Sequence, residues 1–214
     1  MMKLTRRLFI TLALAGSAVL AGCAGNASAP ALYDLGPLKA QATQSISLPA
    51  ISVADVVAPS WLDTPMMFYR LNYANSQQPR PYAGSQWAMP PAELLEQRLK
   101  ARLSQAGGIV VPADNGAANL PILRIELDDF SQSFDSAQHS TVSIAMRASL
   151  FDGRNLRAQK MFSRQLPTAS ADAQGGAAAL ATASDSIMNE IAAWLSTCLL
   201  YTSPSPRDAE ESRM

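Results

Sequence analysis

The sequence predicts an α+β fold: a mainly antiparallel or mixed sheet of about six strands packed with two amphipathic helices. Three observations lead there. Residues 123–127 and 142–150 alternate apolar and polar side chains with the period of a half-buried strand. Leu95, Leu99 and Leu103 repeat every fourth position, the spacing of a helical stripe. Leu180, Ile187, Ile191 and Leu195 fall on one face of a second, Ala-rich helix.

Taken in order, Tyr33-Asp34-Leu35 reads as a short first strand closed by Gly36-Pro37. The β-rich run Ile46–Val57 stops at Ala58-Pro59, and Met66–Tyr73 is a third strand. A polar break at residues 74–78 follows, and Pro79 and Pro81 mark a loop or an edge. The first helix spans Pro91–Ala106, with Pro91 in its first turn and Gly107-Gly108 ending it. Its acids Glu93 and Glu96 lie near the start, and Arg98, Lys100 and Arg102 nearer the end, as the helix dipole favours. Ile109–Val111 is a short strand. Pro121–Phe130 and Thr141–Phe151 are the two alternating strands, and Asp152-Gly153 signals a hairpin into Leu156–Gln165. The last helix covers Ala177–Leu195.

Both ends of the chain stand apart from this pattern. Lys3, Arg6 and Arg7 precede an apolar run from Leu8 to Leu20, too short to span a bilayer, which needs about 20 helical residues. Residues 1–22 therefore read as an export signal; Thr5-Arg6-Arg7-Leu8-Phe9 leaves Sec and twin-arginine routes both open. Leu20-Ala21-Gly22-Cys23 resembles the bacterial lipobox, which implies a lipidated Cys23 as the mature N-terminus. Several acyl chains, at about 0.8 kcal/mol per buried methylene, would hold such a protein firmly to a membrane. Ala24, where Asp would favour inner-membrane retention, points to the outer membrane. Residues 23–31 then form a lipidated tether; its small-residue part reaches about 28 Å when extended. The main domain runs over residues 32–197. From Cys198 the composition changes to Ser-Pro-Ser-Pro and mixed charge, so residues 198–214 read as a non-native or a disordered tail.

Composition excludes several function classes. Lys plus Arg and Asp plus Glu both number 17, so nothing in the charge argues for nucleic acid. With one His and two Cys, no metal cluster or disulfide framework is expected. His139 lies near Asp135 and Ser140, but a triad needs three groups brought together in space. Asp128-Asp129 reads as a solvated strand end. Neither Gly107-Gly108 nor Gly175-Gly176 has phosphate-loop spacing. No cofactor, metal site or enzymatic activity is expected.

The region between Trp61 and Trp87 holds six of the 14 aromatic residues, with Met66, Met67 and Met89 among or beside them. Trp61, Met67, Phe68, Tyr69, Tyr82 and Trp87 are accordingly the candidate partner-binding residues, since large rings and thioethers suit interfaces; core packing is the competing explanation.

Several segments together resemble one family. Tyr33-Asp34-Leu35-Gly36, Val53–Pro59 with Leu62-Asp63, Arg70, Trp87 with Pro90, the Leu94–Leu103 helix, Leu123–Phe130, Leu150-Phe151-Asp152-Gly153 and Trp194 follow the order seen in ABC-type transport auxiliary lipoproteins of the paraquat-inducible protein C kind. The resemblance implies an envelope lipoprotein on the periplasmic face of the outer membrane. Its implied partners are an MCE-domain protein and the ABC permease and ATPase of a system moving lipids between the two membranes. Bound phospholipid and a homo-oligomer are left open. The alternative is an autonomous lipid-binding envelope lipoprotein or chaperone.

Overall fold

The computed structural model describes residues 29–39, 48–113 and 119–200. The chain divides into residues 1–30 and residues 31–214, and the fold described is that of the second unit. The export signal, Cys23, most of the tether and residues 201–214 lie outside the described residues.

Among the described residues, eight strands and two helices follow in the order β1 (Ala31–Tyr33), β2 (Ile51–Val53), β3 (Met66–Leu71), β4 (Asn75–Trp87), α1 (Pro91–Gln105), β5 (Val110–Pro112), β6 (Ile122–Phe134), β7 (Ser140–Asp152), β8 (Asn155–Pro167) and α2 (Ala173–Leu200). All eight strands form one mixed sheet. Strands β6, β7 and β8 make an antiparallel meander of 13-residue strands. The other edge of β6 is shared: β2 pairs in parallel with its first half through Ser52 and Ile122, and β3 with its second half through Tyr69 and Gln132. Short β5 extends the sheet beyond β2, while β4 and then β1 extend it beyond β3. The fold is therefore the expected α+β class, with a mixed rather than purely antiparallel sheet.

The alternation read from sequence sets which face is buried. Leu123, Ile125 and Leu127 of β6 and Val142, Ile144, Met146, Ala148 and Leu150 of β7 are all essentially inaccessible. A bulge between Leu127 and Asp129 shifts the phase of β6, so Phe130, Gln132 and Phe134 face inward beyond it. Helix α1 presents Leu95, Leu99 and Leu103 to the core, and α2 presents Leu180, Ile187, Ile191 and Leu195. Gly107, at φ 86°, supplies the left-handed residue that ends α1, and the Gly108 N–H donates to Leu103 O at 3.0 Å. No helix among the described residues is long and apolar enough to cross a membrane.

Several boundaries differ from the sequence reading, among them the end of β6, which runs to Phe134 rather than Phe130. The first strand lies at Ala31–Tyr33, leaving Asp34-Leu35-Gly36 as an irregular strap. Only Ile51–Val53 and a bridge at Val57 of the long β-rich run are paired. Residues 74–78, read as a polar break, and the stretch around Pro79 and Pro81, read as a loop or an edge, fall in or beside strand β4 (Asn75–Trp87); the prolines fit because β1 pairs only with Ser85–Trp87, leaving their part of β4 an edge. Helix α2 begins four residues earlier than expected, at Ala173, and runs through Cys198 to Leu200. Leu199 is buried and Cys198 packs partly against the core, so the helix does not stop where the composition changes.

The start of α2 is built from small residues because a polar knot presses on it. Gln132, buried at 1% exposure, accepts from the Tyr82 hydroxyl at 3.0 Å and donates to Ser140 Oγ and Asp172 O. A Cβ on Gly176 would lie 2.1 Å from Gln132 Oε1. Gly176→Ala is expected to lower unfolding stability by about 1–3 kcal/mol, read as the urea midpoint. Adding Gln132→Ala should make the loss less than additive, because the two changes share one contact.

Asp172 caps this helix, its Oδ1 accepting from the Gly175 N–H at 2.7 Å. That bond, with the Ser170 hydroxyl, holds its carboxyl below the usual range. A depressed folded-state pKa favours the folded form above the unfolded pKa. The benefit is thus present at neutral pH and disappears as acid protonates the folded carboxylate. An Asp172→Asn variant should show a shallower stability decline below pH ~4 in acid titrations followed by circular dichroism.

Candidate functional site

The six candidate partner-binding residues do not share one surface. Met67 and Trp87 are core residues, each 2% exposed, and Trp87 packs on Phe130 at 5.3 Å between ring centroids. Neither can touch a partner of the folded monomer, which corrects their place in the predicted set. Tyr69 and Tyr82 face the same way as Met67: their rings lie 4.6 Å apart, Tyr69 meets Phe134, and the Tyr82 hydroxyl is bound to Gln132. Burial pushes the Tyr82 phenol far above its ordinary pKa, with the nearby Tyr69 and Asp172 adding to the shift. Trp61 and Phe68 sit on the opposite face, in an edge-to-face pair at 5.6 Å, and the Arg70 guanidinium lies over the Trp61 ring at 5.6 Å. Strand alternation explains the division: Met67 and Tyr69 point one way, Met66, Phe68 and Arg70 the other.

A second feature escaped sequence reading. Arg98 and Arg102 of α1, 7% and 5% exposed, converge on Asp185 of α2. Arg98 grips the carboxylate with two bonds, Nε to Oδ1 at 2.8 Å and Nη2 to Oδ2 at 2.9 Å. Its Nη1 donates to Gly36 O at 2.6 Å, and Arg102 Nη1 donates to Lys39 O at 3.2 Å. The strap after β1 is thereby clasped by α1, whose arginines are held in place by Asp185 of α2, with Gly36 at φ 66° making its turn. Two clefts flank the strap. One, of about 240 Å³, is lined by Leu38, Met89, Leu94 and Arg98; the other, of about 300 Å³, by Leu32, Tyr33, Ala177 and Ala181. A signal existed: Arg98 and Arg102 interleave with Leu95, Leu99 and Leu103, on the stripe that must be buried.

The polar residues weighed for chemistry do not assemble a reactive group. His139 Nδ1 contacts Ser136 Oγ at 3.0 Å in an exposed loop, while Asp135 accepts from Asn72 instead. Ser140 is buried against Gln132 and Thr168. Asp128 is the bulged residue of β6, and Asp129 accepts from Ser131 Oγ. Among the described residues no three or more His, Cys, Asp or Glu side chains gather as metal ligands would. Burial raises the Cys198 thiol pKa, opposed by nearby Lys160.

The profile of the ABC-type transport auxiliary lipoprotein component family matches residues 33–192. The chain belongs to that family. The matched interval opens on the clasped strap and includes the whole sheet from β2 to β8 and most of α2, so both features described above lie within the family domain. The chain is similar to the crystal structure of a protein from Xanthomonas campestris, at 20% identity and a TM-score of 0.66, covering 83% of this chain and 98% of that one. A second crystal structure, of an uncharacterized protein, matches at 19% identity and a TM-score of 0.64, over 78% and 99% of the two chains. Both likenesses concern the fold. No curated protein matches the chain. The family is one of lipoproteins named as auxiliary components of ABC-type transport.

Proposed function

We propose that this auxiliary lipoprotein is a non-enzymatic docking component of an MCE-type ABC system that moves lipids between the inner and outer membranes. Lipid on Cys23 would hold it at the periplasmic face of the outer membrane, and its folded domain would engage the MCE-domain protein and, through it, the permease and ATPase. The observation that carries this reading is the family match over residues 33–192. The lipobox-like Leu20-Ala21-Gly22-Cys23 adds an anchor, and Ala24 after it favours the outer membrane. Asp129, Asp135, His139 and Ser140, the polar residues weighed for chemistry, each engage a structural partner, in keeping with a role in binding rather than catalysis.

The two apolar-lined clefts beside the strap favour a second reading, an autonomous lipid carrier. One experiment separates them. The lipidated protein is purified from gently solubilised envelopes, and everything retained is identified by mass spectrometry. Retention of an MCE-domain protein or ABC permease supports docking. Stoichiometric phospholipid without such a partner supports the carrier and removes the docking reading.

A further inference from the structure

Among the described residues both helices pack on one side of the sheet, and the opposite side carries most of the exposed large apolar side chains. Val57 at 64% exposure, Met161 at 54%, Leu156 at 52% and Met66 at 49% all stand there. Their placement follows from register. Val57 is bridged to Glu126, Glu126 pairs with Arg147, and Arg147 with Met161, forming one row across the sheet. A second row runs through Ile122, Phe151 and Leu156. Met66 shares its side with Phe68 and Arg70, whose register partner Ser133 also faces outward.

Two arginines mark the ends of this face. Arg70 lies over the Trp61 ring and donates one hydrogen bond, to Ser76 O; Arg124 lies over the Phe151 ring at 4.9 Å. Among the described residues neither has a carboxylate partner, whereas Arg98, Arg102, Arg147, Arg157 and Arg164 all do. Stacking on a ring holds a guanidinium flat with its N–H edges turned outward, which suits a bidentate bond to an arriving carboxylate. Arg70 is level with Ser133 and Arg124 is nine residues away along β6, so the two are separated by about 30 Å. That spacing matches the width of a standard interface, about 800 Å² per partner.

We propose that this helix-free face of the sheet is the docking surface for a partner protein that brings apolar side chains to Val57, Leu156 and Met161 and carboxylates to Arg70 and Arg124. A protein fits better than an anionic lipid surface, because acidic Asp129 and the Glu126–Arg147 ion pair stand on the same face as the two arginines, a mixed charge pattern that a uniform layer of phosphates does not complement. The inference rests on the docking role proposed above and deepens it.

The test uses the full lipidated chain in envelopes, with a photo-crosslinking amino acid at Met161 or, on the exposed side of α2, at Thr182. Proteins co-purifying with the unsubstituted chain are identified in parallel. The expected result is that position 161 captures a co-purifying transport component. Retention of that component should fall at least about tenfold in the Arg70→Glu/Arg124→Glu double variant. A lysine replacing the matching carboxylate of the captured protein should restore it. If position 182 captures that component while 161 does not, the face is wrong and the docking role survives. Capture of lipid, or only of a second copy of this chain, at position 161 overturns the proposed partner chemistry. If no transport component co-purifies with the unsubstituted chain, the docking role itself fails, and the proposal with it.

Discussion

Asp185→Ala will lower unfolding stability by about 3–5 kcal/mol, a larger effect than any other single charge removal in this domain. The reason lies in what remains behind. Asp185 satisfies two guanidinium groups that are 7% and 5% exposed, and its removal leaves both charges buried without a counter-ion. Arg102 is already short of partners, since its Nε is buried and unbonded. The same physics predicts an asymmetry. Replacing all three groups together, as Arg98→Met, Arg102→Leu and Asp185→Leu, should cost far less than the single change, because no charge is then stranded. That triple variant nevertheless loses the bonds to Gly36 O and Lys39 O. Amide exchange in Tyr33–Lys39 should quicken in the triple variant while the strands of the meander keep their protection. Urea unfolding and hydrogen exchange on the same samples check both statements. If the strap stays protected in the triple variant, its hold comes from packing of Leu35 and Leu38 and the clasp is incidental.

These arginines also show where the sequence stops being legible. Periodicity gave the buried stripe of α1 residue by residue, because Leu95, Leu99 and Leu103 have only one reason to recur every turn. It could not say that Arg98 and Arg102, on the same stripe, go inside as well. Charged side chains are buried only when a partner waits there, and the partner sits 87 positions away from Arg98 on another helix. Strand β4 was obscured for a related reason. Polar residues with two prolines carry no alternating pattern, and they form a strand because β3 offers its edge and bulges absorb the misfit. Strand β7 and β6 as far as Phe130 were readable, since one apolar face and one wet face impress a period of two on the sequence, and Asp152-Gly153 marked the hairpin into β8. The bulge at Asp128 was not, and it is what turns Gln132 inward to meet Gly176. In the aromatic region, density was visible from residue types alone, but the division between core and surface depends on strand phase. The family resemblance supplied the family and left the surface unassigned.

Trp87 and Trp61 turn that division into the second large effect. Trp87→Ala is expected to cost about 3–5 kcal/mol, the range for emptying a fully buried aromatic site. Its ring is 2% exposed and tilts against Phe130, and its backbone N–H donates to Pro65 O, so the cavity would open where β1, β3 and β4 meet the core. Trp61→Ala removes an edge contact with Phe68 and the seat of Arg70, all on the partly exposed face, and should cost about 1 kcal/mol. Partner retention should respond in the opposite order of cause. The Trp61 variant stays folded, and any loss of a bound partner reports the surface directly. The Trp87 variant loses partners only in proportion to the fraction unfolded, and conditions that restore folding restore retention. Thermal melts alongside pull-downs at several temperatures separate the two. Retention that falls in folded Trp87→Ala and stays native in Trp61→Ala would place the contact on the core side of β4 and remove the helix-free face from consideration.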